Sequence, residues 1–235
     1  MQKLKGLKRT STRVFPWTTG LLVSALISSV QAGSLGKSKK SEDALCRAVQ
    51  ASIQPGDIVF ISSESEVFQN VAKSTQSWTS HVGMALADQS KQIYIYESTL
   101  PLSKKTKLCD FVKRTSQDEI AVMRPKVKLD SESLQKLQLQ AERLMGKVYH
   151  TGFDYDSKTR LYCSKFVYDV FLEALGIEIG FIETFADLIR KNPDPELIKF
   201  WEGWFFGKIP EQRRVVTPAG QLQDPDLELI FTTLN

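Results

Sequence analysis

Two short segments rich in β-forming residues, 81–87 and 92–97, are separated by only four polar residues, Asp88-Gln89-Ser90-Lys91. A connection of that length between two such runs is typical of a β-hairpin. Because hairpin strands are antiparallel neighbours, we expect an antiparallel sheet to form around this unit. Residues 58–61, which follow a Pro-Gly-Asp turn signal, and residues 118–124 are predicted to be further strands.

Helical patterns lie before, between and after these strands. Helices are predicted over residues 42–52, over 131–146 with Asp130 or Ser131 as the cap, and over 163–176. From about residue 177 the chain is rich in Pro, Trp and Phe, and little regular structure is predicted there. The order of elements predicts an α+β fold, in which a mainly antiparallel sheet packs against helices.

The first 32 residues have the pattern of a secretory signal peptide. Five basic and no acidic residues precede a largely apolar run from Gly20 to Val30, and Val30-Gln31-Ala32 is a small-x-small cleavage pattern. The run is shorter than the about 20 apolar residues of a membrane span. We therefore predict a cleaved signal over 1–32 and export to the periplasm or the medium, with a retained N-terminal anchor as the alternative. A leader and short helix over 33–52 and one domain over 53–235 complete the predicted organisation.

Cleavage would change the charge of the chain. The full sequence has 31 basic and 27 acidic residues, a net charge of +4. Loss of the five basic residues of the signal leaves 26 against 27, a net charge of about −1. The basic character belongs to the targeting segment, so no nucleic-acid partner is predicted.

The chain contains three cysteines, Cys46, Cys109 and Cys163. In an oxidising compartment an odd number leaves at least one thiol unpaired. A Cys46–Cys109 disulfide with a free Cys163 and three separate buried thiols are both compatible with the sequence.

Cys163 is predicted to lie in the first turn of a helix. Unpaired backbone N–H groups and the positive end of the helix dipole favour the thiolate there, which is the nucleophilic form of the side chain. Only two histidines, His81 and His150, are present to act as a base. His81 begins a predicted strand, from which its ring can project over a sheet edge, whereas His150 lies in a polar loop.

The hairpin supplies a candidate third group. If its loop places an odd number of residues between the paired strand ends, His81 and Glu97 lie on the same face of the sheet. A carboxylate there would fix the imidazole tautomer and stabilise the imidazolium. A register that differs by one residue would turn Glu97 to the opposite face and leave Ser98 as the neighbour.

Metal and cofactor motifs are missing from the sequence. It has no His-x-x-x-His, no Cys-x-x-Cys and no Gly-rich phosphate loop. Asp154 and Asp156, on either side of Tyr155, could contact a cation, but solvated loop carboxylates are the favoured interpretation. No metal and no cofactor are therefore predicted.

An ordered set of short motifs resembles a known family. The motifs are Pro55-Gly56-Asp57, Ser80-His81-Val82-Gly83-Met84, Tyr96-Glu97, Gly146-Lys147-Val148-Tyr149 and Tyr162-Cys163-Ser164. In that order they are similar to the YiiX/YebB-like branch of the NlpC/P60 superfamily, and the resemblance spans about residues 53–232. It implies a circularly permuted papain-like fold, with Cys163 as nucleophile, His81 as base and Glu97 as the polar third member.

The sequence departs from the family pattern beside these residues. Lys165 stands where a Glu commonly follows the Cys-Ser pair, and His150 stands where an Asp commonly follows the Tyr. Tyr162, Ser164, Lys165 and Tyr155 are expected to contact the substrate or hold the oxyanion, in a polar cleft that Glu64 and Asp154 also line.

Three functions agree with this pattern. The first is a cysteine hydrolase that cleaves an amide bond in a small peptide or cell-wall fragment. The second is a lipid-directed thioesterase or acyltransferase, in which Trp201, Trp204, Phe205 and Phe206 would meet acyl chains or a membrane. Core packing is the favoured interpretation of that aromatic cluster. The third is a non-catalytic peptide-binding module.

Overall fold

The computed structural model describes residues 39–234, with side chains from residue 41 onward. The predicted signal over 1–32 and most of the predicted leader lie outside these residues. Within the described range, no helix combines the length and apolarity needed to cross a membrane.

A six-stranded sheet forms the centre of the described chain. Its strands are β1 (Ile58–Ser63), β2 (His81–Ala87), β3 (Ile93–Glu97), β4 (Lys104–Lys107), β5 (Thr115–Pro125) and β8 (Leu227–Thr232). They lie in the order β4-β3-β2-β1-β5-β8, and every neighbouring pair is antiparallel. The predicted hairpin is the β2–β3 pair, and the predicted mainly antiparallel sheet is confirmed.

The apolar run of β1 reflects burial on both faces of the sheet. Ile58 and Phe60 point into one core, and Val59 and Ile61 point into another. Because side chains alternate along a strand, a central strand covered on both sides has no polar positions.

Helices cover both faces. They are α1 (Lys39–Ser52), α2 (Glu66–Ser74), α3 (Leu108–Val112), α4 (Ser131–Arg143), α5 (Cys163–Leu175), α6 (Phe185–Lys191), α7 (Pro195–Trp204) and α8 (Pro218–Leu222). Helices α4 and α5 contribute Leu137 and Phe166 to one core, and α1 and α3 contribute Val49 and Phe111 to the other.

The expectation of little regular structure after residue 177 is wrong. This segment contains α6, α7, α8, β8 and a small antiparallel sheet of β6 (Ile182–Thr184) and β7 (Arg214–Val216). Two of the prolines stand at helix starts: Asp194 caps the helix that begins at Pro195, and Thr217 caps the helix that begins at Pro218. Proline is well tolerated at that position because its missing N–H would be unpaired there anyway.

Packing of this C-terminal segment explains why α5 is buried on more than one side. Phe166 and Val170 face the sheet, whereas Tyr168 belongs to a third core with Phe185, Trp201 and other residues of the C-terminal segment. The helix that begins at Cys163 is therefore held between the sheet and the C-terminal segment, which fixes its position.

The cysteines resolve the alternative that the sequence leaves open. Cys46 in α1 and Cys109 in α3 form a disulfide across 63 residues of sequence, and Cys163 is a free, buried thiol. The bond ties the first described helix to the short helix that precedes β5.

Candidate active site

Cys163 is the first residue of α5 and is buried. Tyr162 is the N-cap residue and provides no side-chain cap. Burial raises the pKa of the Cys163 thiol, and His81 and then the backbone N–H groups of Ser164 and Val82 lower it. The start of the helix therefore stabilises a thiolate through both hydrogen bonds and the helix dipole.

His81 and Glu97 meet on one face of the hairpin. Five residues separate Ala87 from its partner Ile93, and the same register pairs Met84 with Tyr96. The next pair in this register sets Glu97 opposite Gly83. Residues 81 and 83 share a face, and the His81 Nε2 lies 2.6 Å from the Glu97 Oε2. Both side chains are buried.

The absence of a side chain at Gly83 makes room for this contact. A Cβ at that position would lie 3.3 Å from the Glu97 Cβ and 2.5 Å from the Ile95 Cγ2. Any larger residue would push the carboxylate strand away from His81.

Other groups hold the Glu97 carboxylate in place. The Arg114 guanidinium donates to both oxygens at 2.7 Å, and the Thr106 hydroxyl donates to Oε1. Burial alone would raise the pKa of Glu97, but the hydrogen bonds and charges of His81 and Arg114 outweigh it and lower this pKa to about 2. The carboxylate is therefore ionised at neutral pH.

The charges on Cys163 and His81 favour an ion pair. Burial lowers the pKa of His81, but its interactions with Cys163 and Glu97 outweigh burial and raise the pKa to about 9. Burial raises the pKa of Cys163, yet the hydrogen bond and charge of His81 lower it overall. Among the described residues, the His81 Nδ1 has no conventional hydrogen-bond partner, so this nitrogen is the one left to exchange a proton with the sulfur. These opposite shifts favour the thiolate–imidazolium pair over the neutral thiol and imidazole.

Two aromatic rings hold the imidazole in place. The ring of Phe68 lies 5.8 Å from that of His81, and the ring of Phe111 lies 5.7 Å from it on centroids. Phe111 is in α3, one of the two helices that the disulfide joins. The imidazole is therefore packed as well as hydrogen-bonded.

Tyr149 also lies at the site, although no role was predicted for it from the sequence. It is buried, and its hydroxyl has no hydrogen-bond partner among the described residues other than Cys163. Burial and then the nearby Cys163 charge raise the pKa of this phenol well above its usual range, so it remains a proton-bearing donor. A bridge between Tyr149 and Leu161 brings the loop beside the start of α5. The Gly146–Tyr149 motif is the sequence feature that could have indicated a role for Tyr149.

Tyr162 and Ser164 lie next to the nucleophile but bond to the C-terminal segment. The Tyr162 hydroxyl accepts the Val216 N–H at 3.1 Å, and the Ser164 hydroxyl donates to the Val216 carbonyl at 2.8 Å. Both therefore fasten the start of α5 to β7.

Lys165 and Tyr155 lie together in a different cluster. Lys165 is buried and ion-paired with Asp169, and its ammonium lies 4.9 Å from the centroid of the Tyr155 ring. The Arg214 guanidinium lies 5.1 Å from the same ring and pairs with Asp156. This places Lys165 and Tyr155 in an ion-paired cluster beside α5, and neither residue lines the pocket that contains Cys163.

The remaining polar residues named from sequence also lie outside that pocket. His150 is half-buried, and its Nδ1 accepts the Gly152 N–H at 3.1 Å. Glu64 is exposed, and neither it nor Asp154 lines the pocket at Cys163.

The aromatic cluster divides into a buried and an exposed part. Trp201 is buried in the third core, and its indole N–H donates to Ser74 at 2.8 Å. Trp204 and Phe205 are half-buried, while Phe206 is 99% exposed. Most of this cluster thus contributes to packing, with one ring at the surface.

The pocket beside Cys163 has an apolar wall. The side chains that line it come from α2, the loop before α5, α6, α7 and β7, and include Phe68, Val71, Phe153, Phe185, Leu188, Trp201 and Val215. Tyr149 and Cys163 also line it, so the sulfur and the phenol face the same space.

Two proteins of Escherichia coli are similar to this chain. An uncharacterised protein YiiX of strain K12 is 32% identical over 178 residues, which cover 75% of this chain and 85% of that protein. The crystal structure of YiiX from strain O157:H7, described as a metalloprotein, matches with a TM-score of 0.72 and 28% identity over 78% of this chain and 99% of that one. The permuted fold inferred from sequence is therefore shared with a solved structure.

Since that relative is described as a metalloprotein, we tested whether this chain offers a metal site. Between residues 39 and 234, no three His, Cys, Asp or Glu side chains converge in a way that could hold an ion. The residues described do not fit a metal, and no step is derived through one.

A family model supports the same assignment. The model described as permuted papain-like amidase enzyme, YaeF/YiiX, C92 family matches residues 52–231. The predicted permuted papain-like fold and the predicted resemblance to YiiX are confirmed, while placement in the wider NlpC/P60 superfamily stays a prediction. The chain therefore belongs to the YaeF/YiiX (C92) family of permuted papain-like amidases.

Proposed function

We propose that this protein is an exported cysteine amidase in which Cys163, His81 and Glu97 form the catalytic triad. The observation that carries the proposal is the buried chain of contacts from the Glu97 carboxylate through His81 to the free thiol at the start of α5. Membership of an amidase family agrees with it.

The cycle begins from the thiolate–imidazolium pair. The Cys163 sulfur attacks the amide carbonyl carbon, a C–S bond forms, and the carbonyl π electrons move to the oxygen. The protonated Nδ1 of His81 then gives its proton to the amide nitrogen as the C–N bond breaks, which leaves a thioester and a free amine. Neutral His81 next removes a proton from water, the resulting hydroxide attacks the thioester, and Cys163 leaves as the thiolate.

The oxyanion needs donors that are in place before the reaction. We assign this role to the Tyr149 hydroxyl, which is buried and has no hydrogen-bond partner among the described residues other than Cys163, together with the Cys163 N–H at the helix start. A preorganised donor of this kind contributes a factor of about 10²–10³ to turnover. The Tyr162 hydroxyl, the alternative from sequence, already accepts the Val216 N–H.

Activity and thiol alkylation should show different pH profiles. Alkylation by iodoacetamide needs only the thiolate, so its rate should rise as the lowered pKa of Cys163 is passed and then stay high. Hydrolysis also needs the proton on His81, whose pKa is raised to about 9. We therefore expect kcat/KM for an acyl anilide to fall above about pH 9, while alkylation does not.

The Glu97→Gln variant is the matched control for this experiment. Loss of the carboxylate charge should lower the pKa of His81, so the alkaline limb of hydrolysis should move to lower pH. Alkylation of Cys163 no faster than that of an ordinary buried thiol would contradict the triad and favour a peptide-binding module.

Export is part of the proposal and has support from the disulfide. Cys46 and Cys109 are bonded, a state typical of proteins outside the cytoplasm. Together with the signal pattern of residues 1–32, this favours the periplasm or the medium.

Protein recovered from the producing cells should begin at Gly33 by mass and show one thiol after unfolding without reductant. Reduction should lower the free energy of unfolding by roughly 2–4 kcal/mol, because the bond closes a long loop in the unfolded chain. The double variant Cys46→Ser/Cys109→Ser should be insensitive to reductant. An intact N-terminus with three titratable thiols would overturn the export proposal.

A further inference from the structure

We propose that the pocket at Cys163 selects a short, uncharged aliphatic acyl group, so that the preferred substrates are amides of small apolar carboxylic acids. This inference rests on the proposed function and names its substrate class. It differs from the polar peptide cleft expected from sequence, because the polar residues named for that cleft lie elsewhere.

The first step concerns which part of the substrate enters the pocket, the acyl group or the leaving group. Cys163 and Tyr149 line the pocket, so a carbonyl carbon bonded to the sulfur, with its oxygen near the phenol, sits at the pocket mouth. His81 is not among the lining residues, and its ring lies 5.8 Å from that of Phe68, which does line the pocket. Since His81 must reach the leaving nitrogen, the leaving group lies on the His81 side, and the acyl group extends into the pocket.

The second step is the polarity of the pocket. No charged side chain lines it, and its serine and threonine hydroxyls are already bonded within the protein. These hydroxyls belong to Ser74, Thr75, Ser80, Ser164 and Thr217. The Tyr149 hydroxyl also lines the pocket, and the proposed mechanism assigns it to the oxyanion. A carboxylate deep in the pocket would lose its hydration and find no cationic side chain among the lining residues, which is costly.

The third step is size. The cavity is small: its volume is about 30 Å³, and one water needs about 10–15 Å³. Two or three methylene-sized groups therefore fit beyond the carbonyl carbon, which corresponds to acyl chains of about three or four carbons. Phe153, Leu188 and Trp201 close the pocket against longer chains.

Aldehydes test the pocket without requiring turnover. The Cys163 thiolate adds to the aldehyde carbon, the oxygen takes the His81 proton, and the resulting hemithioacetal protects the sulfur from iodoacetamide. Ethanal, butanal, octanal and succinic semialdehyde are compared as protectants of the full mature chain. Butanal and succinic semialdehyde have the same chain length and differ in a terminal methyl or carboxylate.

Butanal should protect at a concentration at least 10-fold lower than ethanal, since each buried methylene contributes a factor of about 4. It should also protect at least 10-fold better than octanal and than succinic semialdehyde. Equal protection by butanal and succinic semialdehyde, or better protection by octanal, would overturn the inference.

Variants of lining residues test whether the pocket causes the chain-length preference among the aldehydes. Leu188→Ala, and the milder Val71→Ala, enlarge the pocket and should improve protection by octanal relative to butanal at least 5-fold. Leu197 is buried in the same core but does not line the pocket, so Leu197→Ala is the matched control and should leave the preference unchanged. A shift as large in Leu197→Ala would contradict the assignment.

The inference and the proposed function fail in different ways. Rapid alkylation and amide turnover with no chain-length or charge preference would overturn the pocket inference and leave the triad intact. Slow alkylation of Cys163 in the absence of aldehyde would overturn the triad, and with it the inference.

Discussion

The variant Cys163→Ala is expected to lose amide hydrolysis by a factor on the order of 10⁴–10⁶, because no other residue can form the thioester. His81→Ala should lose nearly as much, since the thiolate would lack both its counter-ion and its proton donor. The double variant should be scarcely worse than either single one, because groups that act in one step are not additive. The measurement is kcat/KM on a butanoyl anilide for the wild type and the three variants.

The controls for this experiment concern the fold. Cys163 is free and outside the disulfide, so Cys163→Ala should retain the Cys46–Cys109 bond and a cooperative unfolding transition. Residual activity of Cys163→Ala above a hundredth of wild type would show that hydrolysis does not pass through this sulfur. An additive loss in the double variant would show that the two residues act in separate steps.

The variant Tyr149→Phe is expected to lower kcat by about 10²–10³-fold with little change in KM. Phenylalanine keeps the edge contacts of the ring with Phe68 and Phe153, at 6.2 and 6.4 Å between centroids. The substitution therefore removes the hydroxyl and leaves the packing in place. Alkylation by iodoacetamide develops no oxyanion, so its rate should stay within about twofold of wild type.

Tyr162→Phe is the matched control. Its hydroxyl accepts the Val216 N–H, so this variant should lose roughly 1–2 kcal/mol of stability from the buried N–H left unpaired, with a smaller loss of kcat. A larger loss of kcat in Tyr162→Phe than in Tyr149→Phe would transfer the oxyanion role to Tyr162, as the sequence alone suggested.

The contacts of Glu97 show which parts of the site can be predicted from local sequence. The number of residues between β2 and β3 decides the parity of the register, and Gly83 leaves space on the face that His81 and Glu97 share. Both features lie within one short stretch of sequence. The contact between His81 and Glu97 could therefore be predicted on one condition, that an odd number of residues separates the paired strand ends. The partners that hold the carboxylate, Thr106 and Arg114, come from segments with no strong pattern and were not predictable.

The C-terminal segment shows the opposite case. Pro195 and Pro218 read as helix breakers in isolation, although each follows a capping residue and begins a helix. Propensity does not distinguish a proline that ends a helix from one that starts it unless the following turn is packed, and here the packing comes from α5 and α2. The same packing forms the apolar wall of the pocket. The helices of the C-terminal segment and the apolar wall therefore could not be predicted separately.

The sequence by itself determined the chemistry that this chain carries: a thiol at a helix start, an imidazole at a strand start, a carboxylate on the adjoining strand and the order in which they occur. Tertiary structure alone decided which hydroxyl lies beside the sulfur, which cysteines are bonded and that the pocket is apolar. The physical reason is that periodicity and capping report on a residue's own element, whereas contacts between residues far apart in the chain depend on how the burial of each element's apolar face arranges the elements.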